Sequence, residues 1–364
     1  MLSFNKIIEN VVVLHEYGIP RHFESLYRLH KEGKIGRIES IEFNIPKQFA
    51  KGIVYRDVGW IRTGFRNIRK LTKLLIKRGQ IIIIGAAPYD AIVPLLLYLK
   101  RRNRVIYFTS WPYWDGERCP KRGFFSYQKK LWRNFIDGVM AVTVSQAAQV
   151  AISKLGANAI HIPHCVDTKI FRPRNVGSKN STIRILFVGQ MSYHKGADLF
   201  LDIVKDNLLK NVEYWFVGKG PFFNKLVELA TKGYPIEAFG YVGNRSRLSE
   251  IYRNADIFVL SSRQSGNWEE LFGIVLIEAM ASGLPVIATN CVGPKEIVDN
   301  NQDGFLINQN SKSELVERIR GLIARPEKRK VMGKVGREKV LMEFDVAIIS
   351  KKWESVLNSV TGDI

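Results

Sequence analysis

Two carboxylates, Glu270 and Glu278, sit eight positions apart in the run Glu269–Gly283, with a Phe272–Gly273 pair between them. Gly273 opens an apolar segment of helical length that ends near Gly283, and a strand-like run, Leu284–Ala288, follows. A glycine at a loop-to-helix junction leaves backbone N–H groups unpaired and aligned with the positive end of the helix dipole, which suits an anion. The two carboxylates cannot bind that anion, but they can accept hydrogen bonds from hydroxyls attached to it. A phosphate flanked by hydroxyls describes a sugar nucleotide. The plainer reading is a dipole-complementing Glu270, worth about 0.3–1 kcal/mol, and a solvated Glu278.

A second cluster lies upstream. Ile185–Val188 reads as a strand, closed by Gly189 and Gln190 and followed by a polar loop with Lys195 and Gly196. Glycine at the strand end lets a ligand approach the backbone, and Lys195 offers a mobile cation for a diphosphate. Phe216–Pro221 is another strand–glycine turn, Phe239–Val242 precedes a helix over 246–254, and Ala255–Ser262 leads into the paired carboxylates.

Elements must hold these residues in place, and strand-like and helix-like runs alternate along the whole chain. Val11–Leu14, Ile81–Ile84, Val105–Phe108, Gly138–Val144 and Ala159–Ile162 read as strands of a first domain. Phe171–Ser181 is polar and turn-rich, a linker. Ile183–Val188, Val212–Val217, Ile236–Phe239, Ile257–Leu260, Pro285–Ala288 and Gly304–Ile307 form a second series. Alternation of this kind predicts an α/β fold with parallel sheets, in domains 1–170 and 171–345, and a ligand cleft at the strand ends. Val346, Ile349, Trp353 and Leu357 make 346–364 an amphipathic helix able to pack back on the first domain.

In combination these pieces resemble the retaining family 4 (group 1) glycosyltransferases. The motifs are Gly189…Lys195–Gly196, Ala255–Asp256…Ser262, Glu270…Glu278 and Gly283–Ala288…Gly293…Glu296–Val298…Gly304, with Thr143–Ser145 and Ile162–Asp167…Phe171 at the approach between domains. The resemblance spans roughly residues 105–360 and implies the GT-B fold, two facing Rossmann-like domains with parallel sheets and a central cleft. It further implies a nucleotide-sugar donor and a hexosyl-type transfer without metal or other cofactor. Lys195 would bind the donor diphosphate, Glu278 the ribose hydroxyls and Glu270 the donor sugar, with Glu270 and Lys195 serving catalysis. The backbone of Leu271, Phe272 and Gly273 would hold sugar or phosphate, and Tyr241 and Val242 would lie beside the base. The family pattern has Arg where Gln190 stands, so Arg263 or another base would compensate. It also has a His where Phe108–Trp114 contains none, leaving Ser110, Trp111, Tyr113 and Trp114 as acceptor-side or membrane-side residues. Gly18 is a reduced version of a glycine-rich first loop, and His15, His22 and His164 read as structural or acceptor-side.

Charge separates the two halves. Of the 55 Lys and Arg and 34 Asp and Glu, residues 1–170 hold 28 and 12, a net +16, and the remainder nets +5. The first half therefore faces something negative. Ile61, Phe65, Ile68, Leu71 and Leu75 predict the buried stripe of a helix over 61–78, with Arg62, Arg66, Arg69, Lys70, Lys73 and Lys77 around it. Trp111–Phe135 interleaves aromatic and cationic residues in a way that suits a lipid interface. The expectation is a cytoplasmic enzyme, peripheral on the inner membrane face, with a glycan or lipid-linked acceptor. Ile81–Leu99 is nearly long enough to span a bilayer, but Gly85, Pro88, Asp90 and Pro94 break it. Three scattered cysteines lack metal or disulfide spacing and point to a reducing compartment. No zinc, helix-turn-helix or RNA-recognition signature supports nucleic acid as partner. A sugar-nucleotide epimerase of the same fold, and a basic nucleic-acid-binding or glycan-binding protein without transferase activity, are the alternatives.

Overall fold

Parallel strand pairing dominates the molecule, because β-branched runs such as Ile81–Ile84 are buried on both faces and need helices on each. The computed structural model describes residues 7–17, 20–114, 118, 121, 125–174 and 182–362. Two compact units are present: Met1–His164 with Ile349–Ile364, and Cys165–Ile348.

The first unit contains β1 (Ile8–His15), β2 (Ile35–Glu42), β3 (Ile81–Gly85), β4 (Arg104–Thr109), β5 (Met140–Thr143) and β6 (Asn158–His161). They form one parallel sheet in the order β2-β1-β3-β4-β5-β6. The second contains β7 (Ile183–Val188), β8 (Val212–Val217), β9 (Ile236–Gly240), β10 (Ile257–Leu260), β11 (Val286–Thr289) and β12 (Gly304–Ile307). Their order is β12-β11-β10-β7-β8-β9, again all parallel. Each order reverses direction once, at β1/β3 in the first sheet and β7/β10 in the second. Helix crossovers diverge at such a point and leave a crevice at the carboxyl ends of the strands.

On one face of the second sheet, Ile185, Phe187, Phe216, Ile257 and Ile287 pack with Phe200 of the helix Ala197–Lys205 to form a core. In the first unit the helix Val346–Gly362 closes the core: Trp353 lies 6.2 Å from Phe108, Ser350 donates to Ser25 O at 3.0 Å, and Glu354 pairs with Lys34 at 2.6 Å. The expected boundary at 170/171 falls a little later than this division. Val166 N donates to Phe344 O and Phe171 packs on Tyr252, so 165–170 travel with the second unit.

Three sequence expectations need correction. β2 is a strand that the apolar pattern does not announce, since Gly36, Arg37, Glu39 and Ser40 interrupt it; it is an edge strand, where polar side chains are tolerated. The helix Val58–Ile76 does not bury the stripe of Ile61, Phe65, Ile68, Leu71 and Leu75. It buries Gly64, Asn67 and Leu74, with Asn67 donating to Gln48 of the helix Ile45–Val54 at 3.2 Å, while Phe65 and Ile68 face outward. Finally, most of the described aromatics of Trp111–Phe135 are buried rather than lipid-facing. Trp111, Trp114, Trp132 and Phe135 are buried; Trp132 Nε1 donates to Asp90 O, and Trp114 Nε1 to Trp111 O. Tyr127 alone among its described aromatics is exposed. Gly18, Arg122, Phe124 and 175–181 of the linker lie outside the described residues.

Candidate active site

The loops after β7 and β10, at the switch point of the second sheet, bring Lys195 and Glu270 together. Lys195 Nζ lies 2.5 Å from Glu270 Oε2 and 4.8 Å from the centre of the Trp268 ring. Ser262 donates to the same carboxylate oxygen at 3.1 Å. Glu270 is buried, so its charge requires these partners.

Local backbone chemistry explains the placement. The turn Tyr193–Lys195 ends at Gly196, whose φ of 71° is left-handed, and a Cβ there would strike Ser261 O. Only glycine lets the Lys195 turn lie this close to the β10 loop. Ser261 donates to Gly196 O at 3.0 Å, and Arg263 N donates to His194 O at 2.9 Å, stitching the two loops. The His194 ring packs tilted against Trp268, centroids 4.3 Å apart, and burial, then the Lys195 ammonium, lowers its pKa from the ordinary value.

Downstream, Gly273 has φ 102° and starts the helix Ile274–Ala281, which no side chain caps. Its first N–H groups thus remain available to an anion. Behind them, Glu270 O accepts from Gly293 N at 2.9 Å, and Glu269 Oε1 accepts from Val292 N at 3.0 Å. Glu278, one turn into the helix, is buried and accepts from Tyr252 Oη at 3.1 Å. Both carboxylates thus belong to one loop–helix segment at the end of β10. Leu271 is half-buried, and Phe272 and Gly273 are buried.

The remaining expected donor-side residues are placed as follows. Gly189 and Gln190 end β7, Gln190 with its side chain exposed; Met191 N donates to Lys219 O and ties this turn to the one after β8. Tyr241 and Val242 follow β9, two strands from β7, and Tyr241 is exposed. Arg263 is committed elsewhere: buried, its Nη2 lies 2.9 Å from Asp198 and its guanidinium 4.2 Å from the Tyr193 ring. It braces the Lys195 turn rather than replacing a cation at Gln190.

The first unit has its own cavity of about 250 Å³ at its β1/β3 switch point, with Ser110 and Trp111 among its lining. His15, His22 and His164 also face it; the His22 and His164 rings lie 4.5 Å apart. Burial pushes His15 and His22 down to about 4, His22 with a further contribution from His15, and holds His164 well below its ordinary value. Three neutral imidazoles therefore line it near neutral pH, able to donate and accept hydrogen bonds. Tyr113 and Trp114 are not in this lining: Arg118 stacks 4.2 Å over Tyr113, and Trp114 is core.

Sequence reasoning missed Glu16 here. It is buried beside the cavity and lies 2.6 Å from Lys121, which also reaches Asp90 at 3.2 Å. The available signal was a charge set directly after an otherwise apolar strand. Among the described residues no group of acidic, His and Cys side chains is arranged to hold a metal ion, and no helix is long and apolar enough to cross a membrane.

Comparison with known proteins adds to this geometry. Residues 169–339 match the family model described as glycosyl transferases group 1. An uncharacterized glycosyltransferase of Haemophilus influenzae is 33% identical over 299 residues, covering 80% of this chain and 79% of the relative. The sulfoquinovosyl transferase SQD2 of Arabidopsis thaliana is 31% identical over 240 residues, 60% of this chain but only 45% of that longer protein. Among solved structures, Anabaena Alr3699/HepE in complex with UDP superposes with a TM-score of 0.68 at 16% identity, covering 97% of this chain and 100% of that one. Sucrose-phosphate synthase from Thermosynechococcus elongatus gives 0.71 at 15% identity, covering 98% and 100%. At these identities the structural likeness establishes the fold, which is GT-B.

Proposed function

The chain belongs to the group 1 glycosyl transferases, and we propose that it is a retaining enzyme moving a hexosyl group from a nucleotide sugar to a glycan or lipid-linked acceptor at a membrane surface. One observation carries this reading: Lys195 and Glu270 meet at the switch point of the second sheet, beside an uncapped helix N-terminus. An arriving diphosphate competes with Glu270 for the Lys195 ammonium and takes the N–H groups at the start of Ile274–Ala281. Negative charge grows on that diphosphate as the glycosidic bond breaks, so a fixed cation and N–H donors stabilise the transition state more than the ground state. Glu270, released from the lysine, accepts from a donor-sugar hydroxyl, and Glu278 accepts from the ribose. Lys195 supplies the cation in this scheme, so the reaction proceeds without a metal, and a chelator leaves its rate unchanged.

The acceptor binds on the first unit, where Ser110, Trp111 and the neutral histidines offer hydroxyl-binding groups. The +16 charge of that half favours an anionic membrane surface as the place where the acceptor is met. UDP bound to the Anabaena neighbour makes uridine nucleotides the first donors to try.

A thermal-shift screen over nucleotide sugars tests the donor half: a true donor at about 100 times its Kd adds roughly 2.7 kcal/mol. Release of nucleoside diphosphate that depends on an added acceptor lipid or glycan extract, with the product retaining the anomeric configuration by NMR, tests the chemistry. Nucleotide-sugar isomerisation without any acceptor would instead identify an epimerase. Glu278→Ala is expected to weaken donor binding; a change confined to acceptor affinity contradicts its assigned role.

A further inference from the structure

Outside the site, a helical hairpin of the first unit carries a surface that the proposed reaction does not use. Its helices, Ile45–Val54 and Val58–Ile76, pack through small and polar contacts: Ile61 against Gly52, Phe49 against Gly64, and Asn67 on Gln48. The inner face thus uses few apolar side chains, and the outer one retains many. At the tip, Ile53, Val54 and Tyr55 are 72%, 73% and 69% exposed. Along the longer helix, Val58, Phe65 and Ile76 are also exposed, seven and eleven residues apart, two and three helical turns on one side.

A basic ridge runs beside this stripe. Arg62, Arg66, Arg69 and Lys73 are all exposed and fall at neighbouring angles on the same helix, and Lys77 is exposed just past its end. From residue 43 to 78 the acidic side chains reduce to Asp57, whose carboxylate accepts from Gly59 N at the helix start. Exposed apolar groups at a protruding turn, bordered by uncompensated cations, have the make-up of an interfacial element: apolar side chains reach the acyl boundary and the cations meet lipid phosphates. A polyanion such as nucleic acid would account for the ridge but not for the apolar tip and stripe.

We propose that this hairpin is the membrane-docking element, inserting Ile53, Val54 and Tyr55 into an anionic bilayer while the basic ridge lies on its headgroups. It rests on the membrane-surface reading above and replaces Trp111–Phe135, now largely core, as the lipid-contacting segment.

Flotation of the full chain with vesicles tests it. Vesicles of phosphatidylcholine containing roughly one part in four phosphatidylglycerol should bind the protein. Phosphatidylcholine alone should bind it much less, and salt should weaken the anionic binding. The pair Ile53→Asp and Val54→Asp, both at exposed positions, should weaken partitioning by about tenfold or more. Arg66→Glu with Arg69→Glu should do so by roughly thirtyfold or more. Unaltered melting temperature and unaltered nucleotide-sugar thermal shifts show that these variants fold. If wild-type protein ignores anionic vesicles, both the hairpin and the membrane reading fall. If it binds them and the tip variants bind equally well, only the hairpin falls. If the tip variants instead convert a lipid-free dimer to a monomer by light scattering, the hairpin joins two copies and the proposal is overturned.

Discussion

The turn carrying Lys195 and the aromatic stretch 111–135 both attract notice in the sequence, yet the structure treats them differently. Around Lys195, Glu270 reaches both the lysine and Ser262, because glycine positions and hydrogen bonds between adjacent loops leave little conformational choice. In 111–135 the residue types are equally suggestive, but burial decides what an aromatic does, and burial depends on strands and helices far away in the chain. Motifs tied to backbone geometry transfer from sequence to site; motifs tied to side-chain exposure do not.

Several measurements break or sharpen this contrast. The largest effect is expected at Trp132→Ala, which removes a fully buried indole together with its bond to Asp90 O. A loss of about 3–5 kcal/mol is expected, against about 0.5 kcal/mol for Tyr127→Ala. Equal effects in denaturant melts would show that the two aromatics share one environment. Next, Lys195→Ala should lower the transfer rate by roughly 10²–10³ with the fold intact; retention of activity within a few-fold would remove Lys195 from catalysis. Gly196→Ala forces a side chain into left-handed backbone against Ser261 O and should cost about 1–3 kcal/mol.

A further effect, spread over several pH units, is a pH dependence of the first unit. His15 and His22 titrate near 6.5 when unfolded and about 4 when folded, so the unfolded chain binds more protons between those values. Their contribution is therefore intact above about pH 6.5 and lost as pH falls toward 4, by roughly 1 kcal/mol per pH unit for each imidazole. Thermal melts from pH 7 to 4 check it, and His22→Gln should flatten the slope.

Most of the architecture was legible in advance. All six strands of the second sheet and five of the first carry dense apolar runs, and their alternation with helices implies parallel sheets. β2 was hidden because an edge strand buries little and tolerates Arg37 and Glu39. The pattern predicts the Val58–Ile76 helix but not its buried face, since Gly64 and Asn67 do the packing that a hydrophobicity pattern attributes to Phe65 and Ile68. Glu16 and the partners of Arg263 were out of reach, because each joins positions distant in sequence: Lys121 for one, Asp198 for the other.

The path of the chain between its two units has a consequence for biosynthesis. Residues 165–348 interrupt a unit that resumes only at Ile349, and the last stretch supplies Trp353 and Ser350 to its core. As the ribosome releases the protein from its amino end, the middle portion has all of its strands before the opening portion has its closing helix. The half made first is therefore finished last, and a nascent chain stalled before Ile349 leaves Phe108 open to chaperones.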